Sequence, residues 1–194
     1  MIYTKLDTEE IKDKLKRILE PERYEHSIGV METAIELAER FNLDKEKAMT
    51  AGLVHDCAKC LSIEEMKKYS FCLDKCELES IKTWHAPIGA VIAEKEYGIS
   101  SSEILSAVRY HTIGRKDMSA FEKIIYIADK IEKRTRPESM RSRIEGALNR
   151  RNSLDDAMLE CFKITINSLL ERSLPICFQT IDVYNSLIES YKKS

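Results

Sequence analysis

Residues 48–59 read AMTAGLVHDCAK, an apolar run that ends in adjacent His55 and Asp56 and reaches Lys59 three residues later. An imidazole and a carboxylate side by side offer a nitrogen and an oxygen to one divalent cation, but two ligands are too few to hold it. The other ligands must come from elsewhere, and the search is short because the chain has four histidines: His26, His55, His85 and His111. Each sits at or near the edge of a helical pattern, beside small or turn-forming residues. Asp129 joins them because it lies in the apolar run KIIYIADKI, where a carboxylate without a cation beside it is costly to bury. Something positive should face it.

Outward from this stretch the apolar residues recur at helical spacing, and none of the chain reads as strand. Asp7, ahead of an acidic first turn, caps a helix with Ile11, Leu15, Ile18 and Leu19 on one side. It stops before Pro21, which can open a second helix reaching about Phe41, with Arg23 and His26 in its first turns. Asp44 caps the helix that delivers His55 and Asp56. Ser62 and Asp74 look like caps for two short amphipathic pieces. His85 opens a helix of small and β-branched residues ending at Gly98, and a further helix, capped by Ser101 or Ser102, closes at His111. Ser119 caps a helix through IIYIADKIEKR that Pro137 bounds, Ser153 begins a long one, and a last helix starts near Thr180. Six glycines and four prolines suit short connections in an all-α bundle.

At 194 residues one domain is the economical expectation, large enough to bury roughly 70% of its unfolded surface. A formal net charge of −2 argues against a dedicated nucleic-acid or membrane-binding coat. No apolar stretch reaches the ~20 residues of a membrane span, and the start lacks the layout of a signal peptide, so a cytoplasmic location is expected. The six cysteines are expected as reduced thiols. Cys57 and Cys60 with Cys72 and Cys76 can be assembled into a tetrahedral zinc site, but the loops lack zinc-ribbon glycines. The basic stretch from Lys130 to Arg151 reads as a solvated helix face rather than an RNA-binding surface.

His26, His55-Asp56 and Asp129, in this order, resemble the H…HD…D signature of the HD superfamily of metal-dependent phosphohydrolases. More narrowly, RYEHSIGV, LVHDCAK, HAPIGAVIAE, RYHTIG and IIYIADKIEKR resemble the YqeK-type bacterial HD proteins, symmetrical bis(5′-nucleosyl)-tetraphosphatases, over nearly the whole chain. The resemblance implies an HD-domain helical bundle over residues 1–194, with C-terminal helices packed on it. It also implies that His26, His55, Asp56 and Asp129 hold one metal, iron in this family. The donor set agrees: two imidazoles and two carboxylates leave open positions on a six-coordinate ion, which suits iron or manganese better than closed tetrahedral zinc. With one metal, His85 and His111 are donors to phosphate; with two, they hold the second ion. The one-metal reading is preferred.

A nucleotide substrate is implied, with Asp56, Lys59 and Asp129 in catalytic roles. Arg23, Lys59, His85, His111 and Thr112 fall to the phosphates. Where the family usually has a proline and then an arginine after ADKIE, this chain has Lys133, Arg134, Thr135 and Arg136, so Arg134 and Arg136 rank equally as nucleotide contacts. PICFQTIDVYN resembles the family's base-contacting wall and keeps Ile176 and Thr180, with Phe178 standing at the family's proline. The expected activity is hydrolysis of diadenosine tetraphosphate to two ADP. The alternatives on this scaffold are a nucleotidase or triphosphohydrolase, a guanosine-alarmone hydrolase, and a nucleotide-sensing module without turnover.

Overall fold

The computed structural model describes residues 7–151 and 153–191. Residues 1–6, on which the reading of a start without a signal peptide partly rests, lie outside the described residues. Every regular element among those described is helical, and capping chemistry sets where most of them begin. Asp7 opens α1 (Thr8–Ile18) through a reciprocal capping box with Glu10. Pro21 takes the first position of α2 (Pro21–Arg40), where its missing N–H has no helical partner to lose. The Asp44 side chain accepts from the backbone of Glu46 and Lys47 to start α3 (Lys45–Val54). Capping boxes at Ser62 and Asp74 begin the short α4 (Ile63–Lys67) and α5 (Lys75–Leu78).

The helix α6 (His85–Tyr97) ends at Gly98 in the left-handed conformation, and Ser101 caps α7 (Ser102–Tyr110). Ser119 and Glu122 form the capping box of α8 (Ala120–Ile131). Then come α9 (Glu138–Leu148), α10 (Ser153–Glu171) and α11 (Phe178–Tyr191). The centre is made by α2, α3 and α8, with α7 closing against α6 and α8. Their apolar stripes supply the core, in which Val30, Ala34, Leu53, Val54, Ile124 and Ile125 are wholly buried. Phe162 on α10 stacks on Tyr126 of α8 at 5.4 Å between ring centroids, docking the C-terminal helices. Gly52 lets α3 lie directly on the backbone of α2: a Cβ there would stand 2.7 Å from the Met31 Cα. That close approach brings His55 to His26.

Three sequence readings change. The helix after Ser119 ends at Ile131 rather than running through Arg134, because the Glu132 side chain accepts the backbone N–H groups of Arg134 and Thr135 and closes a turn. Within the basic stretch, α9 buries Ile144, Ala147 and Leu148 and is a packed element, not only a solvated face. The expectation of six reduced cysteines is also overturned. Cys76 in α5 and Cys177 just before α11 form a disulfide, their Cα atoms 5.8 Å apart, within the span such a bond requires. That removes Cys76 from any zinc tetrad. Cys57, Cys60, Cys72 and Cys161 are free thiols.

Candidate metal centre and nucleotide cleft

The four histidines and two aspartates meet where the ends of five helices converge. His26 comes from the second turn of α2, His55 and Asp56 from the end of α3, His85 from the start of α6, His111 from the end of α7, and Asp129 from the last turn of α8. All six are buried. His26 Nε2 lies 2.9 Å from Asp129 Oδ1 and 3.3 Å from His55 Nε2. His55 Nε2 is 3.7 Å from Asp56 Oδ2 and 3.9 Å from Asp129 Oδ1. His85 and His111 bring their Nε2 atoms to 3.2 Å of each other, and to 3.3 and 3.4 Å of Asp56 Oδ1. The Thr112 hydroxyl sits between these two rings, 3.0 Å from one and 3.1 Å from the other.

The ring tautomers follow from the outer hydrogen bonds. Nδ1–H of His55 donates to the Gly52 carbonyl at 2.7 Å, and Nδ1–H of His26 donates to Glu132 Oε1 at 3.1 Å. A neutral ring in either place therefore turns a bare Nε2 lone pair toward its neighbour and toward Asp129. Among the described residues, Asp56 Oδ1 is likewise buried without a hydrogen-bond partner. Lone pairs and carboxylate oxygens converging on one point call for a proton or a cation. Among the described residues, His26, His55 and Asp129 have ligand atoms within 4.8 Å of one another, and so do His55, Asp56 and His111. The donor set fits a divalent metal.

The fields in the site support that fit. Burial drives the His55 pKa down to about 4, against the pull of Asp56, so the ring is neutral and able to ligate at ordinary pH. Burial also holds His85 well below the usual histidine value. For Asp56, burial alone would raise the carboxyl; His55, His111, His85 and Lys59 reverse it and hold it well below the carboxylate range. Asp129 follows the same pattern, with Lys130 as the strongest opposing charge, then His26 and Arg136. His26 has a raised pKa: burial pulls it down, but the hydrogen bond and charge of Asp129 outweigh it.

Two pockets flank the cluster. A polar cleft of about 670 Å³ is walled by His26 and Asp56 and carries Arg23, Lys59, Thr135 and Arg136. An apolar pocket of about 440 Å³ is lined by Thr112, Ile113, Leu169, Leu174, Pro175 and Thr180. Gln179 on α11 donates to the Gly114 carbonyl at 2.7 Å, joining α11 to the turn that follows α7. The Cys76–Cys177 disulfide forms part of the pocket's wall. Ile176 is half-buried and does not line it.

Of the two arginines after Asp129, the structure brings Arg136 to the cluster. Its Nη2 donates to Asp129 Oδ1 at 2.6 Å and its Nε to the Asp129 carbonyl at 2.7 Å. The Arg134 side chain turns outward to Glu25 and Glu32 of α2. Sequence reasoning missed Lys130, which pairs with Asp129 Oδ2. It also missed Glu132, fully buried beneath His26. The available signal for Glu132 was its place one helical turn after Asp129.

A family model described as HD domain matches residues 23–134, the span that carries His26, His55, Asp56 and Asp129. A Bacillus subtilis protein named "Bis(5'-nucleosyl)-tetraphosphatase, symmetrical" is 38% identical, with 94% of this chain and 98% of that protein covered. A Staphylococcus aureus protein of the same name is 37% identical, with 93% and 94% covered. Among solved structures, a Clostridium acetobutylicum protein described as a predicted HD superfamily hydrolase involved in NAD metabolism superposes with a TM-score of 0.88. Its sequence is 36% identical, with 95% of this chain and 98% of that one covered. With the helical fold, the buried histidine–aspartate cluster and these likenesses together, the chain belongs to the HD domain family, in the group whose curated members are named symmetrical bis(5′-nucleosyl)-tetraphosphatase.

Proposed function

We propose that the chain hydrolyses dinucleoside tetraphosphates at the central anhydride, converting diadenosine tetraphosphate and water to two ADP. The observation that carries this is the metal-type cluster standing between a polar cleft that holds Arg23, Lys59 and Arg136 and an apolar pocket. His26, His55, Asp56 and Asp129 would hold the ion, iron in our reading with manganese as the substitute, and the remaining polar groups of the cluster face the phosphates. When bound, such an ion supplies Lewis-acid charge and lowers the pKa of water.

The protein's own groups do the rest. Asp56 accepts the proton of the attacking water at Oδ1, the atom without a hydrogen-bond partner among the described residues. Asp129 lies between Lys130 and Arg136, which makes it the poorer base and the better anchor. His85, kept neutral by burial, donates from Nε2 to a phosphate oxygen. His111 has its Nδ1 directed to the Val108 carbonyl at 2.7 Å, which turns Nε2 toward Thr112 and His85 and lets the ring orient both. Arg23 and Lys59 neutralise charge as the bond breaks.

The register follows from the anchor. A base held in the apolar pocket near Thr180, with its two phosphates reaching Thr112, leaves the central anhydride over the cluster. Hydrolysis in oxygen-18 water is expected to give ADP alone, one molecule of each pair carrying one heavy oxygen. ATP with AMP as first products would overturn the register. Turnover of a mononucleotide far faster than any dinucleotide would favour a nucleotidase instead.

A further inference from the structure

The Cys76–Cys177 disulfide stands in the wall of the apolar pocket, and what it does there rests on the reading of that pocket as the seat of a base. Four stretches of chain surround the pocket: residues 76–83, 112–113, 165–172 and 174–180. Three of them are fixed to the frame of the fold. Thr112 is bonded to His85 and His111, α10 stacks its Phe162 on Tyr126, and Gln179 holds α11 to the Gly114 carbonyl.

The stretch 76–83 is built differently. Its helix α5 has four residues, far below the ~12–15 at which a helix holds by itself, and Leu78 and Ile81 are exposed rather than packed. It is pinned at Glu77, whose carboxylate accepts from Arg109 at 3.1 Å and whose carbonyl accepts from the Trp84 indole at 2.9 Å. Among the described residues, no hydrogen bond or ion pair joins residues 75–84 to residues 165–180. Beyond van der Waals contact, the tie between these two sides of the pocket is the disulfide. Cys76 and Cys177 are each partly exposed, and their neighbours Lys75, Leu78, Pro175 and Phe178 are exposed. The bond therefore lies at the surface, where disulfides are open to attack by a thiolate.

We propose that Cys76–Cys177 is a site of thiol–disulfide exchange with small dithiols, and that the state of this bond sets how firmly the apolar pocket retains its base. One thiolate of the dithiol attacks one sulfur, forming a mixed disulfide and releasing the other cysteine as a thiolate that takes a proton from water. The second thiolate of the dithiol then attacks the mixed bond and releases the first cysteine in the same way. Two electrons pass to the protein, and the dithiol leaves as its own disulfide. With the bond closed, residues 76–83 are held against the start of α11 and the wall is preformed. With it open, that wall keeps its anchor at Glu77 but must be ordered when a ligand binds, which weakens retention. Neither cysteine belongs to the histidine–aspartate groups, so the effect falls on KM and not on kcat.

The test compares manganese-loaded protein equilibrated with oxidised dithiothreitol and with dithiothreitol, each desalted without oxygen. Thiols alkylated in denaturant should number four per chain in the oxidised sample and six in the reduced one. Reduction is expected to raise KM for diadenosine tetraphosphate about fivefold or more, with kcat within about twofold and manganese content and helicity unchanged. Hydrogen exchange at residues 76–83 should quicken on reduction, whatever the substrate. Cys76→Ser with Cys177→Ser should match the reduced wild type and ignore the reductant, while Cys60→Ser should keep the whole response. Should the double variant lose its helicity, the two states of the wild type still decide. Six thiols in the oxidised sample, or an equal KM in the two states, would overturn the proposal. Exchange that quickens on reduction while neither state makes ADP from the dinucleotide would leave the disulfide site standing and bring down the functional reading itself.

Discussion

Asp129 is gripped by His26, Lys130 and Arg136, so its removal leaves two cations facing a hole and, on the proposed ligand set, a metal short of one ligand. Asp129→Ala is expected to lose bound metal and activity together while remaining helical by circular dichroism. Unchanged metal content would refute the ligand assignment. Glu132 acts one step further out, fixing His26 through Nδ1, and Glu132→Gln should weaken metal affinity by about 10–100-fold without removing a ligand. Metal titration followed by the pH dependence of binding distinguishes this from a packing defect. The candidate ligands stood out in the sequence because the chain has four histidines and Asp129 lies inside an apolar run. Glu132 was not, since IEKRTR reads as ordinary solvated charge until the fold buries it. Even the space for it is hidden in the sequence: a Cβ on Gly29 would come 2.2 Å from Glu132 Oε2, so that glycine makes room for the residue that holds His26.

At the level of elements, the site depends on how closely α2 and α3 lie. Gly52→Ala must part the two backbones, and we expect a loss of about 1–3 kcal/mol in urea unfolding, with a larger fractional loss of metal affinity because His55 moves away from His26. Equal metal affinity in the variant would show that the two histidines are placed by something else. The junction of α7 with α8 is held by Glu122, which accepts from Ser106 at 2.6 Å, from Arg115 at 2.9 and 2.7 Å and from its own helix cap. Burial opposes ionisation of Glu122, yet these donors prevail and its pKa is lowered. The unfolded chain therefore binds the proton more readily. The stabilisation is complete above the ordinary glutamate value of about 4.3 and is lost as pH falls through the lower folded value. Glu122→Gln should melt lower at neutral pH and show a flatter fall in melting temperature below about pH 5. Helix starts were readable because caps are local chemistry; the end of α8 was not, because the group that stops it also serves His26 on another helix.

For the molecule as a whole, the apolar spacing carried the helical class and the order of histidines and aspartates suggested a candidate ligand set, but pairings across long separations stayed out of reach. Cys76 and Cys177 are 101 residues apart, and nothing local in either segment announces that they meet. Arg134 and Arg136 are equivalent on paper and separated only by which way the turn after Glu132 faces. No helix among the described residues is long and apolar enough to cross a membrane. Cys57 is buried and Cys60 is not, and neither belongs to the metal-type groups found among the described residues. Cys57→Ser with Cys60→Ser is thus expected to keep turnover, with any loss appearing as reduced stability; lost turnover with metal still bound would revive a thiol role. The candidate ligands come from α2, the end of α3, and α8; residues 41–44 join α2 to α3 directly, but the long segment 57–119 separates Asp56 from α8. An ion seated among them is a non-covalent cross-link, and thermodynamic linkage makes the folded fraction depend on free-ion activity. At about a thousandfold above Kd the linkage is worth roughly 4 kcal/mol, so a chelator should lower the melting temperature by on the order of ten degrees. Asp129→Ala should melt at one temperature with or without it.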